Sequence, residues 1–107
     1  MKSIFNRAPL LPNTCTPLSP GAVRPEGWLG AQLKAFEEAV CEDTQKFFEG
    51  EGGWERELYA FEALTILAYT QENAALKEEA ARRAAQILAS QDDEGWFGPE
   101  CLIKSMA

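Results

Sequence analysis

One helix sets the problem this chain has to solve. From Leu58 to Tyr69 the sequence reads LYAFEALTILAY, apolar at nearly every position, with Glu62 and Thr65 as the exceptions. A helix that is apolar all round has to be buried all round, and a two- or three-helix structure cannot do that. The helix lies within a longer stretch, Gly52 to Pro99. That stretch reads as a Gly-Trp turn, the apolar helix, a short polar turn, an amphipathic helix and a second Gly-Trp turn. The pattern is that of one piece of a larger helical assembly.

Local signals divide the rest of the chain. Residues 1–24 hold Pro9, Pro12, Pro17 and Pro20, which forbid helix and favour extended chain. Ile4, Phe5, Leu10, Leu11, Leu18 and Val23 are interspersed, which suits an arm laid across a helical body. Pro25 and Glu26 open a first helix, with proline pre-set for the first helical position. Leu29, Leu33, Phe36 and Val40 form its amphipathic stripe. Phe47 and Phe48 continue that stripe after a polar interval at Glu42, Asp43 and Thr44, and Gly50, Gly52 and Gly53 end it. The apolar helix then runs from about Trp54 to Thr70. Thr65 can bond back to the preceding turn, and Glu62 sits at an edge or in a polar pocket. Asn73 is a good N-cap for a helix over 74–90. Leu76, Ala80, Ala84, Ile87 and Leu88 share one face of that helix. Lys77, Glu78, Arg82 and Gln86 lie on the other, with Glu78 and Arg82 as an i,i+4 ion pair.

Composition narrows the function classes. A chain of 107 residues is one domain at most and short for a self-sufficient core. Its net charge of −7, spread along the chain, argues against nucleic acid, which selects a basic face. The absence of histidine removes the commonest general base and metal ligand. Cys15, Cys41 and Cys101 stand far apart without C-x-x-C spacing, so no local zinc site is encoded. Cys41 reads as a small core residue rather than a nucleophile. An odd cysteine count and an opening, MKSIFNRAPLLPN, without a signal-type apolar run fit a cytoplasmic setting. No apolar run approaches the ~20 residues of a membrane span, so no membrane partner is expected.

All three tryptophans follow a glycine, at Gly27-Trp28, Gly53-Trp54 and Gly95-Trp96. The last two are one helical hairpin apart, which hints at a repeating αα unit as in solenoids or closed toroids. In such a unit Trp54, Glu55, Arg56, Trp96 and Phe97 share one rim. Aromatic faces beside charged hydrogen-bonding groups suit sugars, whose C–H faces stack on rings while their hydroxyls take polar partners. The plainer account is that the tryptophans plug helix ends and the charges decorate a first turn. Glu55, Glu57 and Glu62 are abundant carboxylates, but glycoside hydrolysis needs two at a defined separation. No single helix supplies that, so no acid is assigned as catalytic.

At these residues the chain resembles a known family. PLSPGAVRPEGWLGAQL is similar to the opening of β-L-arabinofuranosidase-type enzymes, glycoside hydrolase family 127. GGWERELYAFEALTILAY resembles their first inner helix, keeping Trp54, Glu55, Arg56, Tyr59, Leu64, Leu67, Ala68 and Tyr69. LKEEAARRAAQILASQDDEGWFGP resembles their outer helix and the turn after it. The chain departs from the family pattern at Glu57, Leu58, Ala60 and Glu62, and the interval from Phe48 to Trp54 is short. The resemblance implies a fragment of an (α/α)6 toroid of the six-hairpin glycosidase type, with a pocket at the inner-helix N-termini. It also implies zinc and a cysteine nucleophile for the full-length family. Those motifs lie outside the matched stretch, and nothing at Cys15, Cys41 or Cys101 matches them.

The expectation is therefore an all-α protein of about three helices. An extended Pro-rich arm (1–24) precedes a helical segment (25–107) of a glycosidase-like barrel. Trp54, Glu55, Arg56, Trp96 and Phe97 are the substrate-binding candidates, with no catalytic residue, no metal site and no cofactor in this chain. It acts in carbohydrate degradation once completed by the rest of the barrel and is inactive alone. The alternative is a non-catalytic helical module that binds a second protein segment or self-associates.

Overall fold

A computed structural model describes residues 6–50 and 53–98. Ile4, Phe5, Gly52, Pro99 and Cys101, used above, lie outside them. Among the described residues the protein is all-helical. The elements are α1 (Gly27–Glu42), α2 (Thr44–Phe48), α3 (Gly53–Thr70) and α4 (Ala74–Ala89), with no strand. No described helix is long and apolar enough to cross a membrane.

The stretch read as one long first helix is two. Glu42, Asp43 and Thr44 do not decorate a continuous helix but divide it. Asp43 leaves helical geometry (φ −148°, ψ 82°), and its side chain accepts from the Lys46 amide at 2.9 Å, capping α2. The Thr44 hydroxyl donates to the Val40 carbonyl at 2.9 Å, so α1 ends with an orphan acceptor satisfied. The break turns Phe47 and Phe48 back on the body. Phe47 meets Phe36 edge-on with ring centres 5.7 Å apart, and Phe48 enters the core. The start also shifts: α1 begins at Gly27, leaving Pro25 before it and Glu26 at the cap position in extended backbone.

α3 and α4 are the antiparallel pair on which the core is built. Ala60, Leu64, Leu67 and Ala68 of α3 pack with Leu76 and Ala80 of α4, and Val40 and Phe48 complete the cluster. Small residues on both helices let the backbones approach, and Leu64 is wholly enclosed. The turn between them is tightly specified. The Asn73 side chain accepts from the Leu76 amide at 3.0 Å, as its capping role requires. Its amide nitrogen donates to Glu37 Oε1 at 2.6 Å, and Gln71 Nε2 donates to the other Glu37 oxygen at 2.9 Å. One carboxylate on α1 thus holds the α3–α4 turn. The Thr65 hydroxyl bonds back to the Phe61 carbonyl at 2.8 Å.

Four expectations change. α3 is buried on one side only: Tyr59 and Ile66 on the other are 65% and 51% exposed. Four helices, one of them a single turn, cannot surround it. Cys41 is exposed, because Val40 takes the inward position and its neighbour points about 100° away. Its sulfur lies 3.6 Å from Asn73 Nδ2. On α4, Ile87 turns inward and leaves Leu88 outside. Arg82 pairs with Glu79 rather than Glu78.

The arm meets the body near its end. Leu10, Leu11, Leu18 and Val23 are exposed. Gly21, at φ +83°, passes so close to α3 that a Cβ would lie 2.5 Å from the Tyr69 carbonyl oxygen. Arg24 pairs with Glu72 at 3.2 Å, and Lys77 binds the same carboxylate from the other side. Hydrogen bonding and charge from Lys77, with a smaller contribution from Arg24, hold the Glu72 carboxyl below its ordinary value.

Leu64 is the position on which this small core turns. Leu64→Ala is expected to destabilise the protein by about 3 kcal/mol, the usual scale for an enclosed leucine. Urea unfolding followed by circular dichroism checks it; a midpoint equal to that of the parent would contradict the assigned core.

Candidate functional site

The candidate rim is built by a backbone device that recurs at each tryptophan. Gly27, Gly53 and Gly95 have φ of +60°, +53° and +92°. These values are unfavourable for any residue with a Cβ, so the glycine before each tryptophan is a conformational requirement. Gly27 and Gly53 sit at the first positions of α1 and α3, and Gly95 lies in the turn after α4.

That last turn is organised by Asp92. Its Oδ1 accepts from the amides of Glu94 (3.0 Å) and Trp96 (2.9 Å), while its own amide donates to the Trp96 carbonyl at 2.9 Å. Gln91 Nε2 adds a bond to the Gly95 carbonyl at 3.1 Å. The aspartate therefore fixes Trp96, and Trp96 and Phe97 remain 50% and 44% exposed. Sequence reasoning marked this segment as a turn without singling out Asp92. The signal was an aspartate able to bond the backbone two residues on.

The two Gly-Trp turns meet. Gly98 is buried against the Trp54 indole: a Cβ on it would lie 3.5 Å from Nε1 and 3.6 Å from Cε2. Trp54 is half-buried, while Glu55 and Arg56 are exposed. Arg56 has a structural duty as well. Its Nε donates to the Glu49 carbonyl just after α2, at 3.1 Å. A Cβ on Gly50 would fall 2.6 Å from that nitrogen, so glycine makes the room. The structure thus joins Trp54 to the turn bearing Trp96 and Phe97, and ties Arg56 to the end of α2. Among the described residues no hydrogen bond or ion pair engages the Glu55 side chain.

Behind Trp54 lies a cavity of about 100 Å³ lined by Phe48, Trp54, Leu58, Phe61 and Ile87, with Glu57 and Arg83 as its charged members. It has room for a few waters and is smaller than the usual small-molecule pocket. Arg83 forms its basic wall, with the guanidinium carbon 3.3 Å from the Phe48 ring centre and Nε 2.7 Å from Glu79 Oε1. Glu79 also takes Arg82 through two bonds, 2.8 and 2.6 Å long. Hydrogen bonding from Arg82, reinforced by Arg83, lowers the Glu79 carboxyl from its ordinary value against a smaller opposing effect of burial. The sequence did not point to Arg83, since its aromatic partner lies far away in the chain. A larger open hollow of about 550 Å³ lies along α1 and α2, beside Phe36, Val40, Lys46 and Phe47.

No group of three histidine, cysteine or acidic side chains is placed to hold a metal ion among the described residues. Comparison with known proteins adds no relative: no family model, no curated protein and no solved structure matches the chain.

The Glu79 pairings give a pH dependence of definite sign. Because the folded carboxyl titrates below its ordinary value of 4.5, its stabilising effect is complete above that pH. It is lost as pH falls through the lowered folded value. Glu79→Gln should cost about 1 kcal/mol at neutral pH, the scale of exposed and half-exposed pairs. Melting curves of the two proteins should converge as pH drops below 4.5; a difference that persists undiminished in acid would contradict the pairing.

Proposed function

We propose that this chain supplies a helical hairpin to a six-hairpin, glycosidase-like toroid acting on carbohydrates of the arabinofuranoside type in the cytoplasm. The observation that carries the reading is the nearness of Gly98 to the Trp54 indole. It gathers both Gly-Trp turns at the N-terminal end of α3, where the family resemblance implies a pocket. Trp96 and Phe97 offer exposed ring faces for the C–H face of a sugar, and Trp54 backs them. Glu55 accepts from hydroxyls, and the guanidinium nitrogens of Arg56 beyond Nε donate to them. No residue of this chain is given a catalytic or zinc-binding role, so the chain alone binds weakly and does not hydrolyse.

A second reading, a non-catalytic helical interaction module, is favoured by one observation. Leu58, Tyr59 and Ile66 stay exposed on the helix that should be the most buried.

Titration with a methyl arabinofuranoside, followed by NMR of the three indole N–H signals, tests the main reading. Shifts are expected at Trp54 and Trp96, with a dissociation constant roughly millimolar for so open a site. Trp28, 73% exposed and preceded by the same kind of glycine, is the internal control. Shifts that are absent, or equal at Trp28, would remove the carbohydrate reading. Release of aryl alcohol from an aryl β-L-arabinofuranoside by the pure chain would overturn its inactivity alone.

A further inference from the structure

The face of α3 turned away from the core has a composition that specifies what can cover it. At about 100° per residue, Tyr59, Glu62 and Ile66 fall opposite Ala60, Leu64, Leu67 and Ala68, with Leu58 at the edge of this face, where it also borders the cavity behind Trp54. Tyr59 and Ile66 are largely exposed, Leu58 and Glu62 are exposed too, and Glu55 lies on the same side one turn before Tyr59. Glu62 stands at the middle of this face, within a turn of Leu58, Tyr59 and Ile66. No ion pair reaches it among the described residues. Arg56, the one base on α3, is held to Glu49.

We propose that this face docks an apolar helix of a different protein, one that carries an arginine opposite Glu62. A straight apolar surface on a helix is matched by another helix packing along it. A wholly apolar occupant fails, because it would bury the Glu62 carboxylate without a partner. A second copy of this chain fails for a related reason. Two copies packed antiparallel about a two-fold axis present the same patch to each other. The centre of that patch is Glu62, so carboxylate would meet carboxylate, between chains that each carry −7. An anionic lipid surface is disfavoured by the same charge. A guanidinium meets the requirement: it is weakly hydrated, pairs with a carboxylate through two bonds, and is enriched in interface cores. Glu55 favours further basic residues at one end of the partner helix.

The inference rests on the interaction-module reading, and its test substitutes no rim residue. The probe is a labelled, helix-forming peptide of about 18 residues, the length of the α3 face, with a leucine–alanine stripe and one central arginine. Fluorescence anisotropy should give a dissociation constant of roughly 10 μM. Glu62→Arg should weaken binding at least about tenfold, and a peptide with glutamate in the central place should recover it. Glu78→Arg, on the exposed side of α4, should change binding less than about twofold. Circular dichroism confirms that each variant keeps its helices. Binding that ignores the charge at Glu62 leaves the module standing and overturns the arginine assignment. No binding at all removes both, while the sugar-induced shifts at Trp54 and Trp96 are decided separately. A dimer in light scattering that Ile66→Asp returns to monomer assigns the face to a second copy and overturns the proposal.

Discussion

Everything described here hangs on the packing of α3 against α4 around Leu64. Alanines at positions 60, 68 and 80 bring the two helices close, and Leu64 and Leu67 fill the seam with Leu76. The cluster is small, and three of its eight buried members are alanines. A core of that size leaves little reserve, so the polar ties around it matter more than they would in a larger domain. Glu37 is the chief of these. By receiving both Gln71 and Asn73 it makes α1 part of the hairpin, although α1 buries only Val40 outright.

The same packing explains why α3 is two-faced. α4 and α2 cover one side, and nothing among the described residues covers Tyr59 or Ile66 on the other. An apolar outer face would be ordinary waste if it were uniform, and any greasy surface could close it. Glu62 makes it selective. A charge amid apolar neighbours adds little to affinity but rejects partners that cannot neutralise it.

Much of this was legible because it is local. Asn73 was readable as a cap and Thr65 as a back-bonding hydroxyl, since each acts within four residues of itself, whereas Gly53, read as ending the first helix, opens α3. Asp43 shows the limit of that reading. An aspartate between Glu42 and Thr44 has the composition of a solvated helix face, and only the inward turn of Phe48 makes a cap and a break worthwhile. Glu79 shows another limit. Glu78 and Glu79 both stand near Arg82, but only Glu79 reaches Arg82 and Arg83 together. Arg83 over Phe48 was beyond reach, because that contact needs α2 and α4 already placed.

The three Gly-Trp pairs separate what the backbone dictates from what packing adds. Each glycine takes a left-handed φ, so the local device is the same at Trp28, Trp54 and Trp96. The outcomes differ. Trp28 is the most exposed of the three, while Trp54 is half-buried, with Gly98 beside its indole. A side chain at position 98 would meet Trp54 at ordinary contact distance, but φ there is +122°, which leaves glycine as the unstrained choice. The glycine before a tryptophan therefore fixes where the indole starts. What surrounds the indole then differs: Trp54 has Gly98 on one side and shares a cavity wall with Phe48, Leu58 and Ile87.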